Sequence, residues 1–271
     1  MIHVRMYGGL GNQLFQLAAA LRIRQQTNSK SDILINYTGN KYVEKRFLSI
    51  DSLLHRPSWI TQIPACRLDR LLRLVSDQCR FGKYGWNVSN DCYTFLPFPT
   101  NTIFIDGYFF NNWDKAQANL AFKDISLKEP VIEAASAALI NDSVVVHIRG
   151  GDFIHLSDFN VCRFEYYLDA FAYARDQGLT RFAIVTDDPI YSQILSSHIK
   201  AYMPYLDIVL LPQSSAINDF DLLRTSQYKI LSNSTFAWWA SVFSTHTKLT
   251  VVPSHFTSRL IRSTLDHEIV L

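Results

Sequence analysis

The chain has 271 residues, 48% of them hydrophobic and 18% charged, a balance that supplies a large buried core and excludes a disordered or fibrous protein. A formal net charge of +2 demands neither nucleic acid nor any other polyanion as partner, although a mild basic surplus suits an anionic small molecule or an anionic membrane surface. The longest apolar stretch, 236–242 with Ser241 inside it, is far shorter than the roughly 20 residues of a membrane span, so no span is expected. The amino terminus enters a strand-like run without a basic segment, apolar core and cleavage site, which predicts a cytoplasmic protein. Cys66, Cys79, Cys92 and Cys162 make no CxxC pair and no zinc spacing, so four thiols are expected rather than a disulfide framework.

The first element is a strand, IHVRM, which runs into the turn GGLGN and then a helix over 13–24, where Leu14, Leu17, Ala18 and Leu21 recur at helical spacing. Two readings of the turn stand side by side. Gly8, Gly9 and Gly11 accept backbone angles closed to other residues, or they let backbone amides and the short Asn12 side chain approach a ligand at the positive end of a helix. The nucleotide fingerprint GxGxxG is only half present, because Leu14 occupies the third glycine position, and GxxxxGK[ST] is absent; a dehydrogenase or kinase is not indicated. ILINY follows as a second strand. Residues 41–99 mix short helical patterns with proline, glycine and aromatic residues, TIFIDGYFFN reads as a strand ending in aromatics, and PVIEAASAALIN reads as a helix closing at Asn141.

From about residue 130 the pattern becomes regular. SVVVHIRGGDF, RFAIVTDDP, LDIVLLP, YKILSN and a last strand LTVVP alternate with helices over RFEYYLDAFAYARDQG, YSQILSSHIKAYM, DFDLLRTSQ and TFAWWASVFST. Continuous Val/Ile/Leu runs alternating with amphipathic helices predict a doubly wound parallel sheet covered on both faces. In such sheets ligands bind beyond the carboxyl ends of the strands, and three polar clusters fall there: His147, Arg149 and Asp152, then Asp187 and Asp188, then Ser234 and Thr235.

Each cluster has a bland and a functional reading. Arg149 is the side chain best shaped to clasp phosphate oxygens in a fork, or it forms an ion pair with Asp152 that fixes a loop. His147 is a buried, hydrogen-bonded imidazole or a ligand group. Ser234 or Thr235 caps a helix start, a geometry that also binds phosphate through amide and hydroxyl donors. In TDDP one carboxylate caps the next helix, leaving the other to accept hydrogen bonds from a ligand, for which guanine with its adjacent N–H donors is well suited. Asp219 and Asp221 spell the DxD of metal-dependent sugar transferases, but acidic residues opening a helix are favoured in any case. Trp238 and Trp239 are read as core.

GGLGNQLFQLA, VVVHIRGGD, TDDP and DFDLLRTSQYKILSNSTFAWW, in this order, resemble the family 11 glycosyltransferases, the α1,2-fucosyltransferases, in their compact bacterial form. The resemblance runs from the first strand to about Phe243 and leaves 41–99 without a motif. It implies an α/β fold of GT-B type, two Rossmann-like doubly wound domains with a cleft between them: an acceptor-side domain over 1–128 and a GDP-fucose-binding domain over 129–271. It further implies an inverting transfer of L-fucose from GDP-β-L-fucose, without a metal or other cofactor, to the 2-hydroxyl of a terminal β-galactoside. The implied setting is surface polysaccharide (O-antigen) synthesis at the cytosolic face of the inner membrane, with peripheral membrane contact and a lipid-linked acceptor.

By the same resemblance Arg149 grips the β-phosphate, His147 neighbours it in the nucleotide site, and Asp187 reads guanine. Ser234, Thr235 and Phe236 form a phosphate-contacting turn, and Gly9, Gly11 and Asn12 approach the diphosphate and fucose. Catalysis falls to Arg149, Asn12 and His147, with Asp152 in the nucleotide site. Asp152 and Asp158 are candidate bases, each with a solvated loop carboxylate as its alternative, and the base stays unassigned. One departure is visible: the family writes HxRRxD, and Gly150 stands where its second arginine belongs. Two other readings follow from the same residues, a metal-dependent transferase using Asp219 and Asp221 and a non-catalytic GDP-sugar or carbohydrate-binding module.

Overall fold

The computed structural model describes residues 1–27, 30–37, 48–63, 86–88, 91–96, 102–110, 113–140 and 142–271. Cys66, Cys79 and Asn141, and most of the stretch 41–99, lie outside the described residues. The chain divides into two compact units, Met1–Lys128 and Glu129–Leu271.

In the first unit the elements are β1 (Ile2–Met6), α1 (Leu10–Gln26), β2 (Ile33–Tyr37), α2 (Ile50–Leu53), β3 (Leu54–His55), β4 (Ile60–Ile63), β5 (Trp86–Val88), β6 (Asp91–Leu96), β7 (Thr102–Asp106), α3 (Lys115–Ala121) and β8 (Ser126–Leu127). Six strands form one sheet in the order β4-β2-β1-β7-β6-β5. The four strands from β4 to β7 pair in parallel, whereas β7-β6 and β6-β5 are antiparallel. Helix α1 covers this sheet because Leu14, Leu17, Ala18 and Leu21 fall on one face and are buried there. The helix begins at Leu10, earlier than apolar spacing predicts, since Gly11 and Asn12 carry no periodic signal yet sit in its first turn. The described parts of 41–99 hold the short helix α2 and the strands β3, β4, β5 and β6.

The second unit contains α4 (Ala134–Ile140), β9 (Val144–Ile148), α5 (Phe164–Asp176), β10 (Arg181–Thr186), α6 (Pro189–Tyr202), β11 (Asp207–Leu210), α7 (Ala216–Thr225), β12 (Tyr228–Ile230), α8 (Thr235–Val242), β13 (Leu249–Val252), the hairpin β14 (His255–Thr257) and β15 (Leu260–Ile261), and β16 (Glu268–Val270). Its sheet has the order β11-β10-β9-β12-β13-β16 with every pairing parallel. Central β9 is buried at all five positions, which is why its sequence runs VVVHI without alternation. Helix α5 buries Tyr167, Ala170, Phe171 and Ala174 on one face, and Phe171 stacks on Phe182 of β10 with centroids 4.3 Å apart. Trp238 and Trp239 are fully buried core.

LTVV is not the last strand: β16 extends the sheet beyond it, held by a buried ion pair between Arg262 and Glu268 that apolar patterning does not register. Burial alone would raise the Glu268 pKa, but the Arg262 guanidinium and further hydrogen bonds bring it below the ordinary carboxylate value. Among the described residues Cys162 is a free, buried thiol, pushed up to about 12 by burial, with an Asn233 backbone hydrogen bond and the Arg262 charge opposing, and therefore inert as a nucleophile.

Candidate functional site

Strand order decides where a site can form. In the second unit the chain runs from β9 through β10 to β11 on one side, then returns to place β12 on the other side of β9. Connections after β9 and β12 therefore depart in opposite directions, and the crevice of a doubly wound sheet opens at the carboxyl ends of these two strands. Residues 149–163 and 231–234 leave the sheet at this point, so the two polar segments singled out in the sequence meet here.

His147 joins the two strands. Its Nδ1 lies 2.8 Å from the Ser232 hydroxyl oxygen, and its ring stacks against Phe236 at 5.7 Å. Burial first, and the Arg149 charge second, lower its pKa from 6.5 to about 3, so the imidazole is neutral at any physiological pH. This is the buried, hydrogen-bonded histidine of the bland reading. A neutral ring here orients the crevice and does not donate a full charge to it.

Arg149, one residue beyond β9, is held by both neighbouring carboxylates. Its Nη1 donates to Asp187, its Nη2 donates to Asp152 Oδ1 at 2.5 Å, and its guanidinium lies 4.8 Å from the centroid of the Phe153 ring. The loop-fixing ion pair with Asp152 is thus formed, and Asp187, which follows β10, joins it. Asp187 also accepts from the Gly150 N–H at 2.9 Å. Asp188 accepts from the Gly151 N–H at 3.2 Å and from the Tyr191 N–H at 3.0 Å, the latter capping α6.

On the other wall Ser234 is the N-cap of α8, its Oγ accepting from the Phe236 N–H at 3.2 Å, and Thr235 is the first helical residue. Asn233, buried beside it, donates from Nδ2 to the carbonyls of Phe159 and Phe256, both at 2.8 Å, tying the loop after β12 to the loop after β9 and to β14. An arginine and a helix start therefore border the same crevice, an arrangement suited to an anionic group.

The first unit repeats the topology. Its chain moves from β1 to β2 and β4 on one side, with β7 on the other side of β1, so the crevice lies between the ends of β1 and β7. GGLGN falls there. Gly8 has φ +81°, which only glycine adopts easily, and Gly9 is an N-cap without a side-chain bond to the amides of the first turn. Buried glutamines hold the turn: Gln13 Nε2 donates to the Gly8 carbonyl at 2.9 Å, and Gln16 takes the Tyr7 N–H at 3.1 Å and donates to the Gly107 carbonyl at 3.2 Å. Tyr7 and Tyr108 meet edge to face at 5.0 Å across the same two strand ends.

Asp219 falls in the first turn of its helix, which starts at Ala216 under a Ser215 cap, and Asp221 lies further along it. Asp221 is buried, with Oδ1 accepting from Arg224 Nε at 2.6 Å and Oδ2 from the Val131 N–H at 2.7 Å. Asp219 accepts from Ser214 Oγ at 2.6 Å; burial raises its pKa, against hydrogen bonds from Ser214 and Asn218. The pair thus serves α7 structurally, and among the described residues no group of three His, Cys, Asp or Glu side chains is placed to hold a metal. Asp158 accepts from Ser258 Oγ and from the Ser258 N–H, both at 2.7 Å, and so anchors the β14–β15 hairpin. Ser232, Asn233, Gln13 and Gln16 shape the two crevices without having stood out in the sequence. The Ser and Asn run directly after a strand was the available signal for the first two.

A sequence model of glycosyl transferase family 11 matches residues 88–263. An α-1,2-colitosyltransferase of Escherichia coli is 24% identical over 261 residues, covering 89% of this chain and 87% of that protein. Among solved structures, POFUT1 in complex with GDP is similar with a TM-score of 0.56 and 11% identity, covering 93% of this chain and 97% of the other. NodZ α-1,6-fucosyltransferase soaked with GDP-fucose is similar with a TM-score of 0.51 and 16% identity, covering 90% and 92%. A family 9 glycosyl transferase from Veillonella parvula shares the fold at a TM-score of 0.51 and 11% identity, covering 100% and 86%. The fold is of the GT-B type, and with a match spanning most of its length the chain belongs to glycosyltransferase family 11.

Proposed function

We propose that this chain is an inverting, metal-independent transferase that moves L-fucose from GDP-β-L-fucose to the 2-hydroxyl of a terminal β-galactoside. The observation that carries the reading is Arg149 at the β9/β12 crevice of the second unit, bordered by the start of α8. Support comes from family membership, from the α-1,2 linkage in the name of the Escherichia coli relative, and from the GDP and GDP-fucose of the similar structures. Asp187 is assigned to the guanine, Arg149 to the β-phosphate, and Ser234, Thr235 and Phe236 to the α8 start that receives the diphosphate. Gly9, Gly11 and Asn12 are assigned to substrate contact on the first unit.

In the transfer, the acceptor oxygen forms a bond to C1 from the face opposite GDP as the C1–O bond breaks. GDP leaves with the electron pair, and the hydroxyl proton passes to solvent or a carboxylate. Positive charge builds on the fucose ring and negative charge on GDP, as in other oxocarbenium-like glycosyl chemistry. Arg149 and the helix-start donors are placed to stabilise the departing charge, a contribution on the order of 3 kcal/mol for one preorganised donor. His147, neutral, keeps β9 and β12 in register through Ser232. We place the activity in surface polysaccharide synthesis on a lipid-linked acceptor at the cytosolic face of the inner membrane, with peripheral membrane contact; no described helix is long and apolar enough to cross a membrane.

The test incubates purified protein with GDP-fucose, EDTA and a panel of β-galactosides, following GDP release and product mass. Fucosylated product is expected from the wild type, with a loss of about 100-fold or more in Arg149→Ala. Full turnover by Arg149→Ala would remove the assigned role, and GDP binding without product on any acceptor would favour a binding module.

A further inference from the structure

Arg149 and Asp187 are assigned to different parts of one ligand, yet they are bonded to each other. Two of the five guanidinium N–H donors are held by carboxylates, with Phe153 on the guanidinium face, so a phosphate competes with those carboxylates for the arginine. Asp152 is the weaker holder, because its side chain is 56% exposed and water competes for it. Asp187 is 34% exposed and anchored through its other oxygen by the Gly150 amide, which makes it the firmer one.

The two glycines are what bring this about. Two consecutive aspartates sit on two consecutive glycine amides, Asp187 on Gly150 and Asp188 on Gly151. A Cβ at position 150 would stand 2.4 Å from Asp188 Cβ, and one at 151 would stand 2.9 Å from Asp187 Oδ2, with φ +49° besides. No side chain fits at 150 without separating the loop after β9 from the turn after β10. Gly150 is thus the condition for Asp187 to reach Arg149.

We propose that Asp187 is a latch on Arg149, and that a base able to take over this carboxylate releases the guanidinium toward the phosphates. The inference rests on the guanine-nucleotide reading given above. The two oxygens of Asp187 are occupied by two N–H donors, one from Arg149 and one from Gly150. Guanine carries two adjacent N–H donors that replace this pair, whereas cytosine and adenine do not. Base selectivity is then enforced at the phosphate as well as at the base, since a nucleotide with the wrong base meets an arginine still occupied. Ligand affinity is lowered by the fraction of molecules in which Arg149 is free, and removing the latch removes that penalty.

Calorimetric titration of GDP, CDP and inorganic pyrophosphate into wild type, Asp187→Asn and Gly150→Ala tests this. The wild type is expected to bind GDP far more tightly than CDP. Asp187→Asn should bind pyrophosphate about threefold to fivefold more tightly, the upper range for a partly exposed ion pair, while losing at least about tenfold for GDP through the missing charged acceptor. Gly150→Ala, which loosens the latch but keeps the base reader, should tighten both pyrophosphate and GDP. Pyrophosphate affinity unchanged or weakened in both variants overturns the latch, as does an equal loss for every ligand in a folded Asp187→Asn protein. Absence of GDP binding in the wild type overturns the guanine reading, and base-driven opening falls with it. Thermal melts identify a variant that fails to fold, and the other variant then decides the matter.

Discussion

Lowering the pH from 7 to 5 should destabilise the second unit through one residue, His147. Its pKa is about 3 in the folded chain, lowered by burial and then by the Arg149 charge, against 6.5 for an ordinary imidazole. Between these values the unfolded chain binds a proton that the folded chain refuses, so stability is present above about pH 6.5 and lost as pH falls toward about 3. At about 1.36 kcal/mol per unit, the loss between pH 7 and 5 is about 2 kcal/mol, levelling near 5 kcal/mol at the acid end. Carboxylates titrate in the same range, so the measurement is a difference: urea unfolding of wild type and His147→Gln at pH 7, 6 and 5. Glutamine keeps a hydrogen-bonding group beside Ser232 but does not titrate. The wild type is expected to lose about 2 kcal/mol more than the variant over this interval. Parallel stability curves, or an imidazole resonance of His147 titrating near 6.5, would refute the argument that this ring is buried neutral between β9 and β12.

Other perturbations have equally definite outcomes. Gly8→Ala forces a side chain into φ +81° with its Cβ 2.6 Å from Asn12 Nδ2. It should cost about 1–2 kcal/mol in a melt and weaken substrate binding by displacing Asn12. Arg262→Met leaves Glu268 buried and unpaired, at about 3–5 kcal/mol, and Arg262→Met with Glu268→Leu should recover most of that; a double-mutant cycle with no coupling would show the pair to be inert. Ser234→Ala removes the α8 cap, costing about 1 kcal/mol in urea unfolding. Transfer activity should be undiminished in excess EDTA, because Asp221 is committed to Arg224 and the Val131 amide; loss of turnover restored by a divalent cation would revive the metal-dependent reading.

Much of the second unit was legible beforehand because a parallel sheet buried on both faces leaves an unambiguous trace. VVVHI and RFAIVT are continuous apolar runs, the helices between them have one apolar face, and TDDP and SNST mark helix starts with capping residues. In the first unit β5 and β6 pair antiparallel at the edge of the sheet, and neither their length nor their composition separates them from helical segments. Helix α1 begins three residues before its apolar period does, because glycine and asparagine carry no apolar signal although backbone hydrogen bonding already closes the first turn there. Asp219 falls in the first turn of its helix, whereas Asp221 is buried and bonded to Arg224 and to the Val131 amide, contacts that local pattern does not foresee.

Sequence alone determined that the polar clusters around Arg149, Asp187 and Ser234 lie beyond strand ends, since this follows from local pattern. It also located Gly150 as a departure. Only the tertiary structure decided that β12 returns beside β9, which brings Ser232 to His147 and sets the α8 start beside the loop of Arg149. It also decided that Asp187 and Arg149, 38 residues apart, are bonded to each other, and that Gly150 is packed too closely against Asp188 for any side chain. The physical reason is that strand order and steric contact are properties of chain return over tens of residues, whereas periodicity, capping and turn preference act within a few.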